Sequence, residues 1–202
     1  MEFPFEFCAL RFLLQWQGKE KALHRQIRAN PTIDELRKAL RYFQVARNFK
    51  GLKEQQKAEA ALASLLRVRA RQSLLPVEWV KALADEFQGE FQQFNLSAAS
   101  KLLWLSSRKP FIIYDSRAVT ALRDVYKYKF DRKNYAEYCV AWRAEYAKHK
   151  GEIKAAVSRL PEVRAFMPAW PLTDDEMLRL VKASWFKERV FDIYLWEVGG
   201  DG

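Results

Sequence analysis

Two short stretches of the chain carry the pattern of a helix start. Thr32 is followed three residues later by Glu35, and Thr173 is followed in the same way by Glu176. In each case the threonine hydroxyl can accept a hydrogen bond from the backbone amide three residues on. The glutamate can in turn accept one from the threonine amide. Apolar residues at helical spacing follow the first stretch, beginning at Leu36, so the pattern predicts two well-defined α-helices.

Helical signals of the same kind cover most of the chain. Only seven Gly and seven Pro occur in 202 residues, too few for the turns of an all-β protein. The predicted helices run from 32 to 47, 53 to about 73, 77 to about 91, 97 to 106, 116 to about 128, 133 to 160, 174 to 182 and 184 to 198. Ser184 is the predicted cap of the last one, and the phenylalanine-rich start fits either a strand or a helix. We therefore predict an all-α fold over residues 1–202, as one domain whose two lobes share a core.

The charge of the chain indicates a polyanionic partner. Lys and Arg number 35 against 25 Asp and Glu, giving a formal net charge of +10. An excess of this size concentrates polyanions around a protein. Nucleic acid is the first candidate, ahead of an acidic protein or an anionic membrane, and a basic protein with no such partner is the alternative.

Cysteine and histidine are too sparse for several kinds of site. Cys8 and Cys139 are far apart, and so are His24 and His149. This spacing predicts no disulfide framework, no metal site and no cofactor. The start of the chain lacks the basic residues of a signal peptide, and no apolar run is long enough to span a bilayer. A cytoplasmic location without a membrane partner is therefore expected.

The most informative segment lies between Ser97 and Leu122. It is predicted to form a buried helix, an extended connector at residues 109–114 and a second helix capped by Asp115. Lys109, Phe111, Ile113, Asp115 and Leu122 fill the places of a known motif. The segment resembles the second half of the signature of the helix-hairpin-helix DNA glycosylases. With the segment 184–196 near the C-terminus, it is most similar to bacterial proteins that have the 8-oxoguanine DNA glycosylase fold.

This resemblance implies a two-lobed helical fold and a role for Asp115. In such glycosylases the carboxylate lies at the mouth of a cleft and faces the sugar of an extruded nucleotide. There it stabilises the developing oxocarbenium ion and helps water to attack. A purely structural role as a helix cap is the alternative, and the two roles are compatible.

Two departures from the family pattern limit what can be carried over. The glycine-rich hairpin that grips a phosphate corresponds to residues 94–97, where no glycine occurs. The Schiff-base lysine of bifunctional members corresponds to Leu96 or Ser97. Lys101 is the nearest lysine but lies about one helical turn away, so it is the weaker catalytic candidate, and a solvated or phosphate-contacting lysine is the favoured interpretation. The chemistry expected is that of a monofunctional glycosylase.

Several residues are candidates for contact with nucleic acid. Trp185, Arg189 and Trp196 share one face of the last predicted helix and could stack on a base. Alternatively, Arg189 forms a partly buried pair with Asp192 between the two tryptophans. The full set of nucleic-acid candidates is Ser97, Arg67, Arg69, Arg71, Arg108, Lys109, Arg117, Trp185, Arg189 and Trp196.

Three functions remain open from the sequence. The first is an enzyme that excises a base from DNA by a monofunctional N-glycosylase mechanism. The second is a catalytically inactive DNA- or RNA-binding module on the same scaffold. The third is an intracellular effector whose basic face meets an acidic protein. Asp115 favours the enzyme, whereas the missing glycines favour the second function.

Overall fold

The computed structural model describes residues 3–49, 51–71, 74–166 and 172–200. The chain divides into two compact units. The terminal unit comprises residues 1–19, 115–132 and 137–202, and the central unit comprises residues 20–114 and 133–136. The described residues form helices and no β-strand, which confirms the predicted all-α class. The glycosylase-like arrangement and the single domain stay predictions.

Ten α-helices occur in the described residues. They are α1 (Phe5–Gln15), α2 (Lys21–Arg28), α3 (Ile33–Tyr42), α4 (Gln55–Arg69), α5 (Pro76–Phe91), α6 (Leu96–Ser107), α7 (Ser116–Thr120), α8 (Tyr135–Ser158), α9 (Asp174–Lys182) and α10 (Ser184–Val198). π-helical turns follow α1 at Trp16–Glu20 and α7 at Ala121–Val125, and 3-10 turns lie at Ala46–Asn48 and Leu160–Phe166. The phenylalanine-rich start is thus helical.

Both predicted capping boxes form. The Thr32 hydroxyl accepts from the Glu35 amide at 3.3 Å, and the Thr32 amide donates to the Glu35 carboxylate at 2.8 Å. The matching distances for Thr173 and Glu176 are 3.2 and 3.1 Å. α3 and α9 therefore begin where the sequence predicts, because these local hydrogen bonds satisfy amides that a helix leaves without partners.

Several predicted helix bounds are wrong by one to five residues: α3 ends at Tyr42 rather than at residue 47, and α8 begins at Tyr135 rather than at residue 133. α4 begins at Gln55 rather than at residue 53, because the Glu54 amide closes a turn with the Gly51 carbonyl at 2.8 Å. Ser184 is the first residue of α10 and not its cap. Ala183 alone separates α9 from α10 and therefore occupies the cap position of both helices.

α6 is the core of the central unit. Residues 98–106 are all buried, and both α2 and α5 pack against this helix. The small side chains of Ala98, Ala99 and Ser100 allow neighbouring helices to approach closely. A helix buried on every side needs few charged residues, and α6 contains only Lys101.

α10 is the core of the terminal unit. It packs against α1 and α7, and residues 189–195 are buried. The ring centroids of Phe12 and Phe186 lie 4.8 Å apart at the contact between α1 and α10. Through its contact with α7, α10 also fixes the position of the segment that begins after Asp115.

Candidate functional site

Asp115 caps α7, as the sequence predicts. Its Oδ1 atom accepts a hydrogen bond from the Arg117 amide at 3.1 Å, and its carbonyl accepts one from the Val119 amide at 2.9 Å. The side chain is half-buried. The cap fixes the orientation of the carboxylate while leaving part of it accessible, so capping and a chemical role remain compatible.

Arg117 and Trp196 come together beside Asp115 within the terminal unit. The Arg117 guanidinium carbon lies 3.9 Å from the centroid of the Trp196 ring, in cation–π geometry. The Arg11 guanidinium carbon lies 4.9 Å from the same centroid and also pairs with Glu197. Arg117 and Trp196 were both predicted to contact nucleic acid, and they thus belong to one cluster. Two arginine side chains already lie over the tryptophan ring in this cluster.

Gly199 brings the end of α10 against the start of α7, a role that the sequence analysis missed. A Cβ atom at Gly199 would lie 1.9 Å from the Arg117 carbonyl oxygen, and one at Gly200 would lie 2.6 Å from an Arg117 guanidinium nitrogen. Only glycine permits this approach of two backbones. The pair of glycines in the sequence indicated a helix end, and nothing in the sequence said what packs there.

The proposed base-stacking face of α10 lies largely in the core. Arg189 and Asp192 are each 7% exposed, with 3.9 Å between a guanidinium nitrogen and a carboxylate oxygen. The Trp142 indole donates to Asp192 at 2.8 Å, and the Arg189 guanidinium lies over the Phe12 ring at 5.4 Å. The buried pair is therefore present, but it lies against Phe12 and Trp142.

Trp185 packs inward as well. Its ring centroid lies 4.7 Å from that of Trp16 and 6.2 Å from that of Phe12. The side chain is half-buried in this aromatic contact between α10 and the start of the chain. These positions favour packing over base stacking for Trp185 and Arg189.

Lys101 is not the solvated lysine that the sequence favoured. It is 4% exposed, and its Nζ donates to the Ser97 hydroxyl at 2.7 Å. The Nζ atom also lies 5.9 Å from the centroid of the Phe43 ring. The helical wheel failed here because α6 is buried on all its faces, so that no side of the helix is left for solvent. The half-buried Ser97 is the partner of Lys101 within α6.

α5 and α6 form two packed helices joined by residues 92–95, next to residues 94–97, where the resemblance would place a glycine-rich hairpin. Gln92 ends α5 in the left-handed conformation with φ of 56°, which glycine usually adopts. The Asn95 side chain then caps α6 by accepting from the Ala98 amide at 2.9 Å. The turn thus forms without glycine, and one of the first amides of α6 has a protein partner.

The predicted cluster at the end of α4 divides into two parts. Arg67 and Arg71 both form ion pairs with Glu86 of α5, the second at 3.1 Å. Arg69 turns the other way and donates to the carbonyls of Ile27 and Arg28 at 2.9 and 2.8 Å. Because Arg69 is directed to the end of α2 while the other two arginines meet α5, the three arginines do not form one surface.

Arg108 and Lys109 follow α6 directly. Arg108 has a φ of 40° and is half-buried, and Lys109 is exposed. Burial lowers the pKa of Arg108, and the charge of Arg28 lowers it further. Arg28 and Arg108 therefore place two positive charges near each other in the central unit.

The described residues contain neither a metal-binding cluster nor a membrane-spanning helix. In residues 3–49, 51–71, 74–166 and 172–200 no group of three or more His, Cys, Asp or Glu is arranged to hold a metal ion. None of the helices in these ranges has the length and apolar character needed to cross a bilayer. Comparison of the chain with protein-family models, curated proteins and solved structures finds no match.

Proposed function

We propose that this protein is a DNA glycosylase-like enzyme that excises a base by a monofunctional N-glycosylase mechanism. The observation that carries the proposal is the local structure around Asp115. A buried helix ends at Ser107, residues 109–114 run without helix, and Asp115 then caps α7 with a half-buried carboxylate. This order of elements is the one that the family resemblance implies.

In this mechanism the bond between the base and the sugar carbon C1′ breaks, and the base departs with the bonding electrons. Water then bonds to C1′ and gives up a proton, which the departed base takes up. The Asp115 carboxylate stabilises the positive sugar and orients the water. The Arg117 amide holds the carboxylate in a fixed orientation, and the exposed Arg117 side chain, braced on Trp196, is a suitable phosphate contact.

The placement of Lys101 supports hydrolysis by water rather than by a lysine. A Schiff-base lysine must reach C1′ of the nucleotide with an unprotonated Nζ. The Nζ of Lys101 is buried and donates to Ser97. We therefore assign Lys101 a structural role in α6.

A binding module without chemistry is the second candidate. One observation favours it: the Asn95 side chain takes the Ala98 amide at the start of α6. In the family, backbone amides of this region grip a phosphate, and a capped amide is not available for that contact. Retention of the scaffold for DNA or RNA binding, or for an acidic protein partner, would follow.

Base release by wild type, compared with that by Asp115→Asn, decides between these functions. Wild type is incubated with duplexes that carry oxidised, alkylated or deaminated bases, and abasic sites are then cleaved with alkali. We expect Asp115→Asn to slow release on the order of a hundredfold or more, because it removes the charge that faces the transition state. DNA binding should be kept, because the amide oxygen can still cap α7.

Asp124→Asn is the matched control, since Asp124 is an exposed aspartate of the same unit. It should release bases at the wild-type rate. Borohydride should trap no protein–DNA adduct with wild type, and a trapped adduct would contradict the monofunctional mechanism. If wild type binds the duplexes but releases no base, the binding module replaces the enzyme.

A further inference from the structure

The central unit contains a cavity that the proposed chemistry does not use. Its volume is about 460 Å³, within the range of small-molecule sites. It lies where the C-terminal ends of α2, α4 and α6 meet the start of α5. Its lining includes Arg28, Arg69, Trp79, Ser106, Ser107 and Phe111.

The cationic part of the cavity is suited to an anion. Arg28 and Arg69 both line it, and neither forms an ion pair with a carboxylate in the described part of the chain. Arg69 is held in place by the two carbonyls at the end of α2. Arg108 adds a third positive charge close to Arg28. Positive charges grouped in this way attract an anion.

The apolar part of the cavity is suited to a planar ring. Trp79 and Phe111 form adjoining walls, with ring centroids 5.9 Å apart at an interplanar angle of 38°. The Trp79 indole nitrogen is enclosed, and no acceptor lies within hydrogen-bonding distance of it among the described residues. The cavity therefore offers a ligand the ring faces of these two side chains, because the enclosed nitrogen cannot be reached from it.

We propose that this cavity binds a nucleoside 5′-phosphate, with the phosphate at Arg28 and Arg69 and the base against Trp79 and Phe111. A phosphate alone would leave the aromatic walls uncovered. A phosphotyrosine side chain joins a ring to a phosphate, but its ring carries no donor for the hydroxyl oxygens of Ser106 and Ser107 at the wall. Every nucleotide base carries an N–H or amino donor that these oxygens can accept.

Calorimetric titration of the full chain tests the proposal. The probes are the monophosphates of adenosine, guanosine, cytidine and thymidine, with the matching nucleosides, inorganic phosphate and O-phosphotyrosine as comparisons. We expect the best monophosphate to bind at least tenfold more tightly than its nucleoside, than phosphate and than phosphotyrosine. Absence of binding by all four monophosphates overturns the proposal, and so does equal binding of phosphotyrosine.

Variants locate the binding within the cavity. Arg28→Gln and Trp79→Leu should each weaken the monophosphate at least tenfold, the first by removing charge and the second by removing an aromatic wall. Arg25→Gln is the matched control, since Arg25 is an exposed arginine of α2 outside the cavity. Equal loss in this control would overturn the assignment.

Two further binding experiments are needed. The first distinguishes a free nucleotide from the end of a strand, and the second distinguishes failure of this proposal from failure of the proposed function. An octanucleotide with and without a 5′-phosphate shows whether the cavity takes a strand end or only a free nucleotide, both of which carry the same chemistry. Asp115→Asn should bind the monophosphate as wild type does. Loss of base release with normal nucleotide binding, or the reverse, therefore assigns a failure to one proposal alone.

Discussion

Each unit of the protein brings arginines next to a tryptophan, but the two arrangements differ. In the terminal unit the Arg117 guanidinium lies directly on the Trp196 ring, and Gly199 locks the backbone of α10 against α7. In the central unit Arg28 and Trp79 stand on the walls of a cavity. The same residue types thus make an internal contact in one place and leave room for a ligand in the other. Backbone packing, and not residue type, makes the difference.

The largest loss of stability is expected where the end of α10 meets the start of α7 in the terminal unit. Gly199→Ala places a methyl group against the Arg117 carbonyl, and backbone cannot move aside as a flexible side chain can. We expect a loss of about 2 kcal/mol or more in the free energy of unfolding, and a melting temperature lower by roughly 4–8 °C.

Gly89→Ala is the matched control for this substitution. Gly89 lies inside α5, and a Cβ atom there meets nothing within 4 Å. Alanine should therefore stabilise the helix by roughly 0.5–1 kcal/mol. Opposite signs for the two substitutions are the expected result of thermal unfolding. Equal effects would mean that the close approach of α10 and α7 is not what Gly199 provides.

A smaller difference in the free energy of unfolding is expected between substitutions of Trp196 and Trp79. Trp196→Leu removes the ring on which Arg117 and Arg11 both lie, at an expected cost of about 2 kcal/mol. Trp79→Leu loses packing on Phe111 but also removes an enclosed indole donor without an acceptor. Its cost should stay below about 1 kcal/mol. Urea unfolding of both variants measures the difference, and a greater loss for Trp79→Leu would reverse the comparison.

The smallest effect concerns pH and the central unit. Burial lowers the pKa of His24, and the charges of Arg108 and Arg28 lower it further, against the hydrogen bond of its Nδ1 to the Leu105 carbonyl at 2.6 Å. The unfolded chain therefore binds the proton more tightly than the folded one. Stability is fully present above about pH 6.5 and falls as the pH drops below it.

Melting temperatures between pH 7.5 and 5.5 test this expectation. The fall in wild type should become smaller in His24→Gln, because glutamine does not titrate and can still donate to the Leu105 carbonyl. An unchanged slope would show that His24 does not contribute to the pH response.

A second group titrates at lower pH in the terminal unit. Burial acts to raise the pKa of Glu145, but hydrogen bonds from Lys148 and Tyr128 outweigh it and hold the pKa below its ordinary value. The stability that Glu145 provides is present above the ordinary carboxyl range and is lost as the pH falls through the folded value. The two units therefore respond to acid in separate pH windows.

The sequence by itself determined the features that depend on local chemistry. The capping boxes at Thr32 and Thr173, the cap at Asp115 and the helix end before Gly199 all rest on residues within a few positions of each other. Their hydrogen bonds join residues two or three positions apart, so the start of α3, α7 and α9 could be predicted from spacing alone.

Tertiary structure decided which of these side chains are available for function. Lys101 is buried because α2 and α5 cover the faces of α6, and Arg67 is neutralised because α5 brings Glu86 to it. The cavity beside Arg28 exists only where the ends of four helices meet. Spacing along a chain fixes which residues share a face of one helix. Which face meets another helix, and which charge finds its counterion, depends on residues far apart in sequence.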